Sequence, residues 1–140
     1  MEMVRYITLG SILLVQSVYD MRKKLLPLWI TLVGAAVGII ILFLEGKVTL
    51  YGCLGIIPGI LCLVYARVSR EVIGYGDGLL IGMMGIYLPI SKLISCLMWA
   101  FLMAGILGLY LLVTKKKQRK QTIPFVPFLF VGFVLEVALC

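Results

Sequence analysis

Residues 74–88 have the sequence GYGDGLLIGMMGIYL, which places an acid at the head of an apolar run. The run from Leu79 onward predicts a helix in an apolar environment. Asp77 lies near the start of this helix, between Gly76 and Gly78. An aspartate at the centre of a membrane span costs about 2.5–3.5 kcal/mol on insertion scales, and less near the interface. Because ionisable residues inside a span usually mark a functional site, Asp77 is the first candidate.

The rest of the chain has the composition of a membrane protein. Of its 140 residues, 63% are hydrophobic, against about 45–50% in soluble domains. Apolar runs recur along the chain, and about 20 residues span a bilayer as a helix. The sequence therefore predicts an all-α polytopic membrane protein, a single domain over residues 1–140 that forms a bundle of six transmembrane helices. The predicted helices are residues 3–20, 28–44, 48–67, 71–88, 93–113 and 123–139.

The basic residues predict how this bundle is oriented. If the loops alternate sides, three of the 13 Lys and Arg residues fall on one side, namely Arg5, Lys47 and Lys92. The other ten fall on the opposite side, which should be cytoplasmic because Lys and Arg are retained there. Both termini are then expected outside. The net charge of +7 is mainly a topological signal, so no nucleic-acid partner is predicted. Attraction to anionic membrane lipid is a second interpretation.

Several hydrolase classes are excluded by residues that the chain lacks. It has no histidine, and no pair of its four cysteines has C-x-x-C spacing. Ser-His-Asp and Cys-His hydrolases need an imidazole, and the H-E-x-x-H metalloproteases need two. A zinc site of the usual Cys/His kind is not expected either. A Ser-Lys pair stays open at Lys92, close to Ser91 and Ser95.

The chain has two aspartates, Asp20 and Asp77. Asp20 ends the first predicted helix at the cytoplasmic side, and Asp77 lies near the cytoplasmic start of the fourth. Two helices of one bundle could therefore bring the two carboxyl groups into contact. Simpler interpretations remain open. Asp20 could be a solvated helix-end residue that pairs with Arg22 or Lys24, and Asp77 could form an ion pair with Arg67 or Arg70.

The glycines around Asp77 allow two interpretations. Gly74, Gly78 and Gly82 recur every four residues, and small residues at this spacing let helices approach closely. The same spacing occurs at Gly34/Gly38 and Gly55/Gly59. Gly76 lies off that face, so helix packing explains it less well. Glycines on both sides of an acid would also leave room for an incoming peptide backbone.

Three motifs follow one another along the chain: DMRKKLLP from Asp20, GYGD ending at Asp77, and IPFVPFL from Ile123. They resemble the D-x-R-x-x-x-I-P, G-x-G-D and I-P-F-x-P-F patterns of type IV prepilin leader peptidases, a family of intramembrane aspartic proteases. Leu26 replaces the usual isoleucine, and Leu79 stands where the family often has lysine. The zinc-binding insertion of larger members has no counterpart in this sequence, so N-methylation is not implied.

The resemblance implies an enzyme, a prepilin peptidase of the cell membrane. It would remove the basic leader from type IV prepilin or pseudopilin-like precursors at the cytoplasmic face, with Asp20 and Asp77 as catalytic residues and without metal or cofactor. The residues expected to shape its active site are Gly74, Gly76, Gly78, Arg22, Pro27, Pro124 and Pro127. Helix punctuation is an equal alternative for the last two prolines, and Pro127 is expected to kink the last helix.

A second class of function stays open. The chain could be a non-enzymatic membrane module, such as an assembly subunit or a small ion-coupled carrier that uses Asp77 as its coupling acid. This interpretation explains one buried acid on a glycine-rich helix. It does not explain why a second acid, Asp20, is predicted at the same depth.

Overall fold

In the computed structural model, residues 2–23, 27–46, 53–69, 75–114 and 125–139 are described. This part of the chain forms six helices of twelve residues or more and contains no strand. The helices are α1 (Glu2–Lys23), α2 (Leu28–Glu45), α3 (Ile57–Val68), α4 (Tyr75–Tyr87), α5 (Ile90–Val113) and α6 (Val126–Leu139). The predicted all-α fold is confirmed.

Proline and glycine mark where the helices begin and end. Pro27 precedes α2 and Pro89 precedes α5, both with extended backbone. Proline suits these positions because the first N–H groups of a helix have no intrahelical partner. α2 ends at Gly46, whose φ of 63° is in the left-handed region that glycine adopts without steric cost. The N–H of Gly46 donates to the Phe43 carbonyl at 3.2 Å.

Two predicted helices begin later than expected. α3 begins at Ile57 rather than at residue 48, after a turn at residues 55–56, and Pro58 lies in its first turn; residues 47–52 lie outside the described residues. α6 begins at Val126 rather than at 123, so Pro127 is its second residue. The predicted kink at Pro127 is therefore wrong, because proline in a first turn displaces no intrahelical hydrogen bond.

α4, the helix that carries Asp77, is the central element of the bundle. It packs against α1, α2, α3 and α5, while α6 packs against α1 and α5. The apolar core joins side chains from several of these helices, among them Leu13, Leu80, Met84, Leu93 and Leu129. α4 packs against four other helices, and Asp77 in its first turn is half-buried.

Glycines allow α3 and α4 to pack backbone against backbone. A Cβ atom on Gly59 would lie 2.4 Å from the Cα of Gly82, and one on Gly85 would lie 1.8 Å from the carbonyl oxygen of Gly55. Neither position can hold a larger residue without moving a helix. The predicted packing role of Gly55, Gly59 and Gly82 agrees with these contacts.

Polar side chains are concentrated at the two ends of the bundle. One end, called here the ion-pair end, carries Glu2, Arg5, Glu45, Lys92 and Glu136. The opposite end, called the aspartate end, carries Asp20, Asp77 and the first residue of α6. The last turn of α1 and the first turns of α4 and α6 meet there, as expected for helices that alternate in direction.

The exposed surface is suited to lipid. Within the described residues, α2 and α5 are long and apolar enough to cross a membrane, each with a mean hydropathy of 2.3. α3 and α6 are apolar but shorter, with 12 and 14 residues. Large apolar side chains such as Trp29 and Phe43 are 80% and 70% exposed. Contiguous apolar surface of this kind is typical of contact with a membrane or another protein.

Candidate active site

Asp20 lies on the buried face of α1. Each buried residue of this helix has another three or four positions away, so they form one stripe that faces the core: Leu9, Leu13, Gln16, Ser17 and Asp20. The first two are apolar and the last three are polar, so the stripe becomes polar toward the aspartate end. Asp20 is only 8% exposed, which contradicts the interpretation of a solvated helix-end residue.

The start of α6 holds the carboxyl group of Asp20. The N–H of Val126 donates to Asp20 Oδ2 at 3.3 Å. Val126 is the first residue of α6, where an N–H group has no partner inside the helix and the helix dipole favours a negative charge. Val126 belongs to the IPFVPFL motif, which thus includes a donor to Asp20. Val126 was not among the predicted site residues, although the motif contains it.

Asp77 faces Asp20 from the first turn of α4. The two carboxyl groups are close enough to interact electrostatically. The structure therefore brings together the two aspartates that the sequence singled out. Their catalytic role stays a prediction.

No described basic residue neutralises this pair. Arg22 and Arg67 are exposed, and within the described residues neither forms an ion pair with Asp20 or Asp77. The simpler interpretations as ion pairs with these two arginines therefore find no support; Arg70 and the lysine at position 24 lie outside the described residues. Lys92 is also remote, because it lies at the ion-pair end and donates to Tyr6 Oη at 2.7 Å.

The other predicted site residues are not equally close to the pair. Gly78 is buried against α3, where an added Cβ would lie 3.0 Å from the Leu63 side chain, a placement typical of helix packing. Pro27 precedes α2 at the same end of the bundle, and Gly76 lies beside Asp77 in the first turn of α4. Gly74 and Pro124 lie outside the described residues. The shaping roles of these residues, of Arg22 and of Pro127 remain predictions.

A buried amide extends the polar face of α1 by one turn. Gln16 lies four residues before Asp20 and is fully buried. Its Nε2 donates to Thr31 Oγ1 of α2 at 2.6 Å, while its Oε1 has no hydrogen-bond partner in the described part of the chain. Gln16 and Thr31 were not among the predicted site residues. An amide at the i−4 position from Asp20, inside an apolar run, was the available signal.

The chemistry open to this site is that of two carboxyl groups. Neighbouring carboxylates repel each other, and a pair of this kind can share one proton. The described residues contain no cluster of three or more His, Cys, Asp or Glu side chains that could hold a metal ion. The arrangement suits general acid–base catalysis, with one carboxyl ionised and the other protonated.

Comparison with known proteins identifies the family. The model of the type IV leader peptidase family matches residues 7–109, a range that includes both aspartates. The chain is also similar to a prepilin leader peptidase/N-methyltransferase of Xanthomonas campestris pv. campestris, with 27% identity over 136 residues. This similarity covers 90% of the chain and 46% of the relative, so the chain spans about half the relative's length. No solved structure matches the chain.

The family match covers well over half of the chain, and it agrees with the resemblance inferred from the three motifs. It also agrees with the expectation of a membrane protein that the apolar helices α2 and α5 raise. The prediction of the family is confirmed: this chain belongs to the type IV leader peptidase family.

Proposed function

We propose that this chain is a membrane aspartic endopeptidase that removes the basic leader from type IV prepilin or pseudopilin-like precursors. Family membership supports a prepilin peptidase in general. The observation that carries the aspartic mechanism is the approach of Asp20 and Asp77, two acids that are 57 positions apart in the sequence, at one end of the bundle. We assign residues 1–140 to a single transmembrane peptidase domain. Peptidase activity is the one activity proposed for it.

In the proposed mechanism, the ionised carboxyl accepts a proton from water as the water attacks the scissile carbonyl. The protonated carboxyl donates a hydrogen bond to the developing oxyanion and then protonates the leaving amine. The Val126 N–H favours the ionised form of Asp20, so Asp20 is assigned as the base and Asp77 as the acid. Neither step requires a metal or cofactor.

The proposed membrane topology places this chemistry at the cytoplasmic face. Six spans with both termini outside would put the aspartate end on the side that carries ten of the 13 basic residues. The apolar faces of the helices would contact lipid, and a precursor with a hydrophobic helix could approach through the membrane. The basic leader would then lie beside the acidic pair, where opposite charges attract.

The activity is tested with membranes that contain this chain and a panel of type IV prepilin and pseudopilin precursors. Each susceptible precursor should lose its leader without added metal, and a chelator should leave the rate unchanged. The control is the same chain with both aspartates replaced by asparagine, at matched expression. If no precursor is cut by well-folded protein, or if cleavage depends on zinc, the protease proposal fails and the carrier alternative replaces it.

The topology is tested separately with reporter fusions. Fusions after Lys24 and after Lys120 should report a cytoplasmic location, and a fusion after Lys47 an external one. The opposite result would place the aspartate end outside and would contradict cleavage at the cytoplasmic face.

A further inference from the structure

The carboxamide of Gln16 is satisfied at one end only. Its Nε2 is fixed by Thr31 Oγ1, whereas its Oε1 is buried without a hydrogen-bond partner among the described residues. Among the described residues, the other buried side-chain atoms without a hydrogen bond belong to Arg5 and Glu45, which form an ion pair with each other. In this part of the chain, Gln16 is therefore the residue whose buried acceptor has neither a hydrogen bond nor an opposite charge.

A purely structural role explains this arrangement poorly. A buried acceptor without a donor is unfavourable, and an apolar side chain of the same shape would avoid that cost. Elsewhere in the core a polar group is fully used: Tyr87 Oη donates to the Gly34 carbonyl at 2.6 Å and joins α4 to α2. The free oxygen of Gln16 thus points to a donor that binds during function.

The position of Gln16 indicates which donor this is. Residues four apart lie on the same helix face, about 6 Å from each other, so Gln16 is one turn deeper in the bundle than Asp20. A peptide that enters the bundle at the aspartate end brings backbone N–H groups into an apolar environment, and these require acceptors. The hydrogen bond from Nε2 to Thr31 holds the carboxamide, and its buried Oε1 would meet the donor once the helices part at the aspartate end to admit the peptide.

We propose that Gln16 is a substrate-positioning residue whose Oε1 accepts a hydrogen bond from a backbone N–H of the bound precursor, adjacent to the bond that is cut. The inference rests on the proposed function and deepens it. Two residues of the polar stripe of α1 then act on the same peptide: Asp20 reacts with the peptide, and Gln16 aligns it.

The first test compares kinetic constants of Gln16→Met and wild-type protein in detergent micelles. Methionine preserves the volume and removes the acceptor, so KM should rise about tenfold while kcat changes little, as for lost binding to the ground state and transition state alike. Tyr87→Phe is the matched control, because it also removes a buried hydrogen bond between helices, but about 15 Å from Asp77 along α4. It should lower thermal stability and leave KM unchanged. Thr31→Val keeps the carboxamide and removes its anchor, so a smaller rise in KM is expected.

The second test locates the partner on the substrate. In a series of synthetic precursors, each amide bond near the cleavage point except the scissile one is replaced in turn by an ester, which removes one N–H. At one position the ester should slow wild-type cleavage about tenfold and have no further effect on Gln16→Met, because both changes remove the same hydrogen bond. Independent effects at every position would overturn the proposal. A fall in kcat with unchanged KM would also overturn it, because it would assign the acceptor to the attacking water.

The two proposals fail in different ways. If wild-type protein cuts no precursor, the proposed function falls and this inference with it. If wild-type protein cuts and Gln16→Met retains wild-type KM, only the role of Gln16 is overturned. If Gln16→Met shows the same pattern as Tyr87→Phe, with lower thermal stability and unchanged KM, Gln16 is structural.

Discussion

The two ends of the helical bundle use charge in opposite ways. At the ion-pair end, Arg5 Nε lies 3.5 Å from Glu45 Oε2, and the Glu45 side chain is only 3% exposed. At the aspartate end, Asp20 and Asp77 interact with each other, and within the described residues neither has a basic partner. An acidic side chain is therefore neutralised by an arginine at one end, whereas two acidic side chains lie next to each other at the other end.

The difference indicates which end is built for stability. An ion pair such as Arg5–Glu45 compensates each charge for the loss of water. Two neighbouring carboxyl groups do not compensate each other, and such pairs are typical of functional sites.

Helix packing also differs between the two ends. Near the ion-pair end, a Cβ atom on Gly85 would lie 1.8 Å from the carbonyl oxygen of Gly55, in the turn before α3. Near the aspartate end, a Cβ atom on Gly78 would lie no nearer than 3.0 Å to any atom of Leu63, so this contact is less tight.

The largest expected effect is at the aspartate end. Asp20→Asn and Asp77→Asn should each reduce cleavage by about a thousandfold or more, and the double variant should be no worse than either, because both losses dismantle one catalytic unit. Cleavage of a precursor by membranes with matched amounts of protein measures this. Near-normal turnover by either single variant would remove the distinction between the two ends.

The packing of α4 near the ion-pair end can be broken by a single methyl group. Gly85→Ala would place Cβ 1.8 Å from the Gly55 carbonyl oxygen, so α3 and α4 must separate, at a cost of about 3 kcal/mol. Gly82→Ala is the matched control on the same helix, since its Cβ would meet nothing nearer than 3.8 Å. Denaturation in detergent micelles should show a lower midpoint for Gly85→Ala and no loss for Gly82→Ala. Equal losses would show that this contact does not govern stability.

The next largest effect is expected on stability, when the ion pair between Arg5 and Glu45 is broken. Glu45→Gln should destabilise the protein by about 2 kcal/mol, less than the ~3–5 kcal/mol for a fully buried pair, because Arg5 is partly exposed and Glu2 lies 3.9 Å from it. The double variant Arg5→Met/Glu45→Leu should recover most of the loss, because it leaves no unpaired charge. The unfolding midpoint measures stability, and the cleavage rate of the folded fraction should not change. A specific loss of kcat in Glu45→Gln would mean that this end also takes part in catalysis.

The pH dependence of cleavage should reflect the shared proton. Catalysis requires one ionised and one protonated carboxyl, so the rate should fall about tenfold per pH unit on each side of an optimum. On the acid side both carboxyls are protonated and the base is lost, and on the alkaline side the acid is lost. The two apparent pKa values of this rate profile belong to the pair of carboxyl groups rather than to either residue. A cleavage rate that does not fall on either side of an optimum pH would contradict the dyad. The control variant Arg5→Met/Glu45→Leu should keep the wild-type pH profile.

The smallest effect concerns the glycine beside Asp77. Gly76→Leu should reduce cleavage about tenfold if substrate backbone passes close to the first turn of α4. Gly105 is the matched control, because a Cβ atom there would meet no atom within 4 Å, whereas one on Gly38 would lie 2.8 Å from the Tyr87 ring. Gly105→Leu should therefore keep wild-type activity and stability. Equal activity of the two variants would indicate that Gly76 has no role in making room for substrate.

The sequence predicted most of the architecture because hydropathy and spacing are local properties. Apolar runs predicted six helices. For α1, α2 and α5, the predicted bounds lie within a few residues of the observed ones. The starts of α3 and α6 were predicted too early, since hydropathy continues through residues that precede Pro58 and Pro127. The glycine spacing predicted a close helix contact, but the identity of the partner, α3 against α4, depended on tertiary packing.

The sequence by itself determined the chemistry available to this protein: no imidazole, two aspartates at matching helix ends, and three motifs of a peptidase family. Tertiary structure alone decided which groups surround those aspartates. The donor to Asp20 is the N–H of Val126, 106 residues away, and the amide that Thr31 anchors is left with a free oxygen. A backbone N–H carries no residue identity, and the pairing of a side-chain atom depends on the neighbouring helices. Such contacts follow from the packing of the whole bundle, because no local pattern records them.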